Sequence, residues 1–221
     1  LTFSTHLKID VKYPGINGIG VIYHLRPGEL DSFLKKQKSA RKYFKVHPAH
    51  NEKELLPITY IEPYEKNAKA VGLDMAHENN RYTAALKARD TGLAQITGPI
   101  LLVQDQEKTP GFLFYAPFYI GAADQTLEDR REYFVGMVYA PFVVNKLMQG
   151  TLLREKRRVD IQISDENEVL YDEHIKTNVD YDPNPLLKKS IALDLYGRTW
   201  NFDIRSTKLF RATAQYNQPL T

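Results

Sequence analysis

The sequence predicts an α+β fold of two lobes, in which antiparallel sheets are flanked by helices. Three observations predict it. Short runs rich in Ile, Val, Phe and Tyr are bounded by Gly and Pro, the pattern of strands joined by turns. Longer segments carry apolar residues at helical spacing. The charged stretch Arg154 to Arg158 then interrupts the pattern, and a second set of strands follows it.

In order, Gly18 to Leu25 reads as a strand, and Pro27-Gly28 breaks the chain before a helix over Glu29 to Phe44, where Leu30, Phe33 and Leu34 recur at helical spacing. The other side of that helix is basic (Lys35, Lys36, Lys38, Arg41, Lys42) and reads as a solvated face. Pro57 to Ile61 is a short strand ending at Pro63. A turn-rich passage leads to a second helix from about Met75 to Asp90, closed by Gly92 as a left-handed cap. Three apolar runs follow, Leu93 to Thr97, Ile100 to Gln104 and Gly111 to Tyr119, and the breaks at Gly98-Pro99 and Pro110-Gly111 predict consecutive strands of one antiparallel sheet. Thr126 to Glu132 is a short polar helix with Thr126 and Asp129 at capping-box spacing, and Tyr133 to Phe142 is another strand. A helix over Val143 to Leu153 leads out of this first lobe, assigned to residues 1–145. The smaller second lobe, residues 146–221, has strands at Val159 to Ile163, Val169 to Tyr171, Ser190 to Tyr196 and Thr199 to Arg205. Turns at Asp165-Glu166-Asn167 and Gly197, and a loop over Asp180 to Pro185, join them.

Composition narrows the function. A chain of 221 residues that is 43% hydrophobic is long enough to bury a core. Lys plus Arg (30) barely exceeds Asp plus Glu (27), so no whole-chain field points to nucleic acid. The absence of cysteine removes thiolate nucleophiles, Cys-type zinc sites and disulfides, and is compatible with a cytosolic or an extracytoplasmic home. The longest apolar stretch, Phe112 to Ala123, contains Pro117 and is shorter than the roughly 20 residues a bilayer needs. The chain opens at Leu1 with neither an initiator Met nor a signal peptide, and so reads as a piece of something longer whose membrane anchor lies outside it.

Few residues suggest chemistry. His47-x-x-His50 has chelate spacing but lies in a Pro-containing loop with no third ligand near it in sequence, so no metal is expected. His6, His24, His77 and His174 are scattered. The glycines of "PGINGIG" lack the spacing of a nucleotide fingerprint, and no cofactor is expected. Asp74 is the acid of interest. It stands where the second helix should start, and two roles are open to it: an N-cap satisfying free backbone N–H groups, or a ligand contact.

The run "PITYIEPYEKNAKAVGLDMAHENNRYTAALKARDTGLAQITGPILLVQDQEKTPGFLFYAPFY", Pro57 to Tyr119, resembles the core of the CHASE family. Its hallmarks stand in order: Tyr-Ile-x-Pro on a strand, Gly-x-Asp before a helix, Ala-Arg-Asp-Thr-Gly at that helix's end, Gly-Pro-x-x-Leu-x-Gln, and Gly-Phe-x-x-x-x-Pro-x-Tyr. Flanking segments extend the resemblance to about Tyr13 to Phe142. It implies an extracytoplasmic input domain of two PAS-like lobes, normally preceded by a long N-terminal helix and held between membrane spans at the periplasmic or extracellular face. Such a domain feeds a cytoplasmic histidine kinase or diguanylate cyclase and is expected to be a homodimer at full length. The ligand would sit in the membrane-distal first lobe.

By the same resemblance Asp74 matches the acid that holds the adenine ring in the plant cytokinin receptors of the family. A carboxylate can take two N–H donors from one purine edge. The pocket walls are expected from Ile96, through its backbone, and from Leu101, Phe112, Phe114 and Ala116 by strand alternation; each is also a natural sheet-core residue. Thr91 reads as structural. The bulk of Phe112, Phe114 and Tyr115 favours a small planar or amphipathic ligand other than cytokinin itself. The expected function is therefore small-molecule sensing without catalysis. The rivals are a hydrolase-like soluble enzyme and a ligand-free protein-interaction module, and a closed, fully packed first lobe would favour the latter.

Overall fold

The computed structural model of the chain describes residues 13–102, 109–121, 126–151, 153 and 157–216. The first part runs β1 (Ile19–Tyr23), α1 (Leu30–Ala40), β2 (Ile58–Glu62), the short α2 (Tyr64–Asn67) and α3 (Asn79–Thr91). It continues with β3 (Gln95–Ile96), β4 (Ile100–Leu101), β5 (Pro110–Tyr119), α4 (Leu127–Tyr133), β6 (Phe134–Val143) and α5 (Val144–Thr151). The second part has β7 (Val159–Asp165), β8 (Glu168–Asp172), β9 (Lys188–Leu195), β10 (Arg198–Ser206) and α6 (Lys208–Tyr216). Among the described residues no helix is long and apolar enough to cross a membrane.

The strands form two antiparallel sheets, the first ordered β2-β1-β6-β5-β3 with β4 also on β5, the second β8-β7-β10-β9. The expectation of consecutive neighbours for the three apolar runs is corrected here. Gln95 pairs with Tyr115 and Ile100 with Gly111, so β3 and β4 follow one edge of β5 in the same direction. Gly98-Pro99 therefore interrupts a single edge strand and does not reverse the chain; Pro99 has no N–H to continue the ladder. Between the two pieces Thr97 keeps the pairing, its backbone N–H donating to Leu113 O at 3.0 Å.

Local chemistry sets the element ends. Thr126 and Asp129 form a reciprocal capping box at the start of α4. The second helix begins later than its pattern predicts, because Met75–His77 is a separate 3₁₀ turn capped by Asp74, while α3 is capped by Glu78, whose side chain accepts from Asn80 N and Arg81 N. Gly92 closes α3 at φ 71°, where a side chain would be strained. In the second sheet β9 turns into β10 through Tyr196 (φ 45°) and Gly197 (φ 87°), the left-handed pair a tight hairpin requires.

Two apolar cores result. The first lies against α3 and includes Ile22, Leu56, Met75, Leu113, Tyr115 and Met137. The second joins Ile96, Phe112, Val144 and Met148 to Ile161, Ile163, Leu170 and Trp200, so it spans from the first sheet through α5 to the second sheet. Strand β5 feeds both: successive side chains point to opposite faces, sending Leu113 and Tyr115 into one core and Phe112 and Phe114 to the other. Burying each such side chain contributes about 2 kcal/mol, so the sheets are held together by more than their linker.

Candidate functional site

Register brings Tyr115 of β5 directly opposite Tyr139 of β6. Cross-strand partners share a face, and here that face is the one beneath α3. Both side chains are fully buried, yet neither hydroxyl has a hydrogen-bond partner. Burial pushes the ionisation of both phenols far up, against the pull of the Arg81 charge, so both stay neutral O–H donors at physiological pH.

Arg81 completes the cluster from the first turn of α3. It is 8% exposed. Its Nη2 donates to Leu101 O at 3.2 Å, but Nε has no hydrogen bond. The nearest carboxylate oxygen, Glu78 Oε2, is 3.6 Å away and is held by the helix cap. A cation in the first turn opposes the helix dipole, and burying it incompletely satisfied costs more. Arg81 and Tyr139 line one small cavity with Ile58, Ala70, Leu73, Met75, Leu102, Leu113 and Pro141; its free volume is about 10 Å³, the room of a single water. Two buried donors, Arg81 and Tyr139, thus border a space too small for a ligand as it stands, and Tyr115 is the cross-strand neighbour of the second.

Asp74 faces away from this cavity. Its Oδ1 accepts from Leu56 N at 2.8 Å and Ala76 N at 2.9 Å, and its Oδ2 lies 3.0 Å from His50 Nε2. It fastens the segment whose neighbouring side chains, Leu73 and Met75, form the cavity wall. His47, the other member of the His-x-x-His pair, stands 3.3 Å from Val71 O through its Nε2. Among the described residues no three His, Asp or Glu side chains gather as a metal site.

The remaining expected wall residues do not join Asp74. Phe112 stacks on Phe142 and meets Trp200 edge-on, and Phe114 meets Tyr196 edge-on, on the opposite face of the sheet. Ile96 lies in the same second core, and its backbone N–H donates to Tyr196 O at 3.0 Å. Ala116 is half-buried opposite Val138, and the Leu101 side chain is 55% exposed, touching the cluster only through its carbonyl. Arg81, Tyr115 and Tyr139 were missed. Arg81 lies in the second predicted helix, where no motif singles it out, and the tyrosines meet only through sheet register.

The Arg-Asp-Thr-Gly motif is accounted for by scaffold contacts. Asp90 accepts from Arg89 Nε at 2.7 Å and from Arg131 Nη2 at 2.5 Å, tying α3 to α4. Burial pushes its carboxyl up, but the two guanidinium groups hold it below the ordinary range. Arg89 also reaches Glu54, which pairs with His24; the hydrogen bond to His24, more than the charge of Arg89, holds the Glu54 carboxyl low. Thr91 Oγ1 donates to Lys87 O and accepts from Leu93 N, as expected of a structural residue.

A search of the curated proteins finds no match for the chain. Among solved structures the fold is similar to the extracellular ligand binding receptor from Desulfohalobium retbaense DSM5692, at 12% identity and a TM-score of 0.50. That match covers 91% of this chain but 31% of the receptor, so the chain spans about a third of the receptor's length. It is also similar to the periplasmic sensory domain of the Campylobacter jejuni chemoreceptor Tlp1, at 9% identity and a TM-score of 0.47, over 93% of this chain and 75% of that one. The CHASE domain family matches residues 1–173, which take in the whole first sheet and the β7–β8 hairpin. The chain belongs to that family of extracytoplasmic sensor domains.

Proposed function

We propose that the chain is the small-molecule input domain of a transmembrane receptor of the histidine kinase or diguanylate cyclase type, anchored through flanking helices at the periplasmic or plasma-membrane surface and dimeric at full length. Residues 1–145 are its membrane-distal binding lobe and residues 146–221 its membrane-proximal lobe. A ligand entering beneath α3 favours one of two conformations of the first lobe and performs no covalent chemistry there. The observation that carries this reading is the pair of buried, incompletely satisfied donors on the small cavity, Arg81 and Tyr139, with the Tyr115 hydroxyl beside the second in register, since buried polar groups in folded proteins are as a rule paired. Strand β5 supplies the route outward: Tyr115 is on the ligand side and Phe112 and Phe114 on the side that packs against the second sheet. The free volume of about 10 Å³ requires the first lobe to open before a ligand enters. It also favours a second reading, a ligand-free interaction module.

A thermal-shift screen of the 221-residue chain against a broad metabolite panel separates the two. A compound at 100 times its dissociation constant adds about 2.7 kcal/mol of stability. A stabilising compound whose effect vanishes in Leu113→Trp, which fills the cavity, supports the sensor. A panel without effect supports the interaction module.

A further inference from the structure

We infer that the ligand presents a single carboxylate to Arg81, Tyr115 and Tyr139; this rests on the sensor reading above and names its ligand class. The two tyrosine hydroxyls are paired by register and lack acceptors, and Arg81 Nε is held 3.6 Å from the carboxylate of Glu78, which is engaged in the helix cap. The guanidinium only donates and each phenol can donate, so one acceptor satisfies all three at once, and a guanidinium favours a planar oxyanion it can meet edge-on. The Glu78 carboxylate, 40% exposed and 3.6 Å from Nε, offsets part of the Arg81 charge, so the site takes at most one further negative charge. A carboxylate fits that balance, and a phosphate dianion leaves an uncompensated buried charge.

The rest of the ligand is short and apolar, because Ile58, Leu73, Met75, Leu102 and Leu113 form the other walls. Room is made by rearranging side chains of the cavity wall, because the backbone that carries Leu73 and Met75 is held by hydrogen bonds to residues 47, 56 and 58 and by the Asp74 carboxylate. Met75 adapts further by changing rotamer.

The test is calorimetric titration of the chain at pH 7 with acetate, propionate and butyrate, with acetamide, propionamide and butyramide, and with inorganic phosphate, run beside the metabolite panel. The expected result is binding of at least one acid, binding of its amide weaker by tenfold or more, and no response to phosphate. Arg81→Gln abolishes acid binding, and Tyr139→Phe weakens it about tenfold while circular dichroism shows both variants folded. Acid and amide binding equally well, phosphate binding more tightly than any acid, or Arg81→Gln binding as wild type overturns the carboxylate. A neutral metabolite that binds independently of Arg81 leaves the sensor reading standing and removes this inference. No binding by any compound in either panel removes both.

Discussion

Asp74 Oδ2 lies 3.0 Å from His50 Nε2, with the acid fully buried and the His50 side chain 10% exposed. The same carboxylate takes two backbone N–H groups through its other oxygen. Asp74 thus locks three stretches of chain together, around residues 50, 56 and 76. Asp74→Asn keeps the amide-oxygen acceptor and loses the charge facing His50. Asp74→Ala leaves the Leu56 and Ala76 N–H groups buried without acceptors. We expect Asp74→Ala to destabilise the chain by about 3 kcal/mol and Asp74→Asn by about 1 kcal/mol. In a chain of this size that separates their melting temperatures by on the order of 6 °C, read by differential scanning fluorimetry. Equal effects of the two substitutions would contradict the lock.

Trp200 is the only tryptophan in the sequence and is 5% exposed in the core shared by the two sheets. Because Phe112 of the first sheet packs against its ring, its fluorescence reports separation of the sheets. Urea unfolding followed by tryptophan emission and by far-UV circular dichroism is expected to give coincident transitions, as one cooperative unit does. Phe112→Ala should lower stability by about 3–5 kcal/mol and shift both transitions together. A tryptophan transition well ahead of the dichroic one would mean that the sheets part before they unfold.

Glu173 links β8 to β7 through Arg157 and through the Ile161 N–H at 2.9 Å. Burial pushes its carboxyl up, but hydrogen bonds from Arg157, Tyr171 and Ile161 outweigh burial and hold it below the ordinary 4.5. A carboxyl lowered by folding stabilises the folded state fully above its unfolded value, and that stabilisation is lost as pH falls through the folded value. Glu54 and Asp90 are lowered too and act in the same direction. At the other end, burial and then the Glu173 contact push the Tyr171 phenol up from 10.0 to about 12, so its contribution is lost as pH rises from 10 toward 12. The urea midpoint is expected to be level from about pH 6 to 9 and to fall on both sides. Glu173→Gln should lower the unfolding free energy by about 3 kcal/mol at pH 7 and flatten the acid limb. An unchanged acid limb in the variant would assign acid loss elsewhere.

The sheet-forming runs, the Gly92 cap and the Thr126–Asp129 box were legible in the sequence because each depends on neighbours a few residues apart. The capping option for Asp74 was legible on the same ground. Which face of β5 meets which layer was not. Alternation divides Phe112 and Phe114 from Leu113 and Tyr115, but with both faces buried, apolar character cannot say which pair lies under α3. The helix α6 was overlooked because Lys208–Tyr216 is short and follows a strand whose pattern gives it no break. Arg81 did leave a signal, a cation in the first turn of a helix where the dipole disfavours it. Its meaning depends on Tyr115 and Tyr139, and only the register of β5 on β6 places those together.

That register also separates a functional cluster from a structural one. In a structural cluster, deleting a buried hydroxyl breaks a hydrogen bond and lowers stability by about 1 kcal/mol. The hydroxyls of Tyr115 and Tyr139 make none, so removing either relieves a buried donor of its desolvation cost without breaking a contact. Tyr115→Phe and Tyr139→Phe are therefore expected to leave the unliganded chain as stable as wild type or more stable, by up to about 1 kcal/mol each, in urea melts. The double variant should show the sum or less, since the rings are cross-strand partners and share one environment. A loss of 1 kcal/mol or more in either single variant would mean that the hydroxyl is satisfied in the unliganded chain, as by a buried water. The donor cluster would then be part of the scaffold, complete without a ligand.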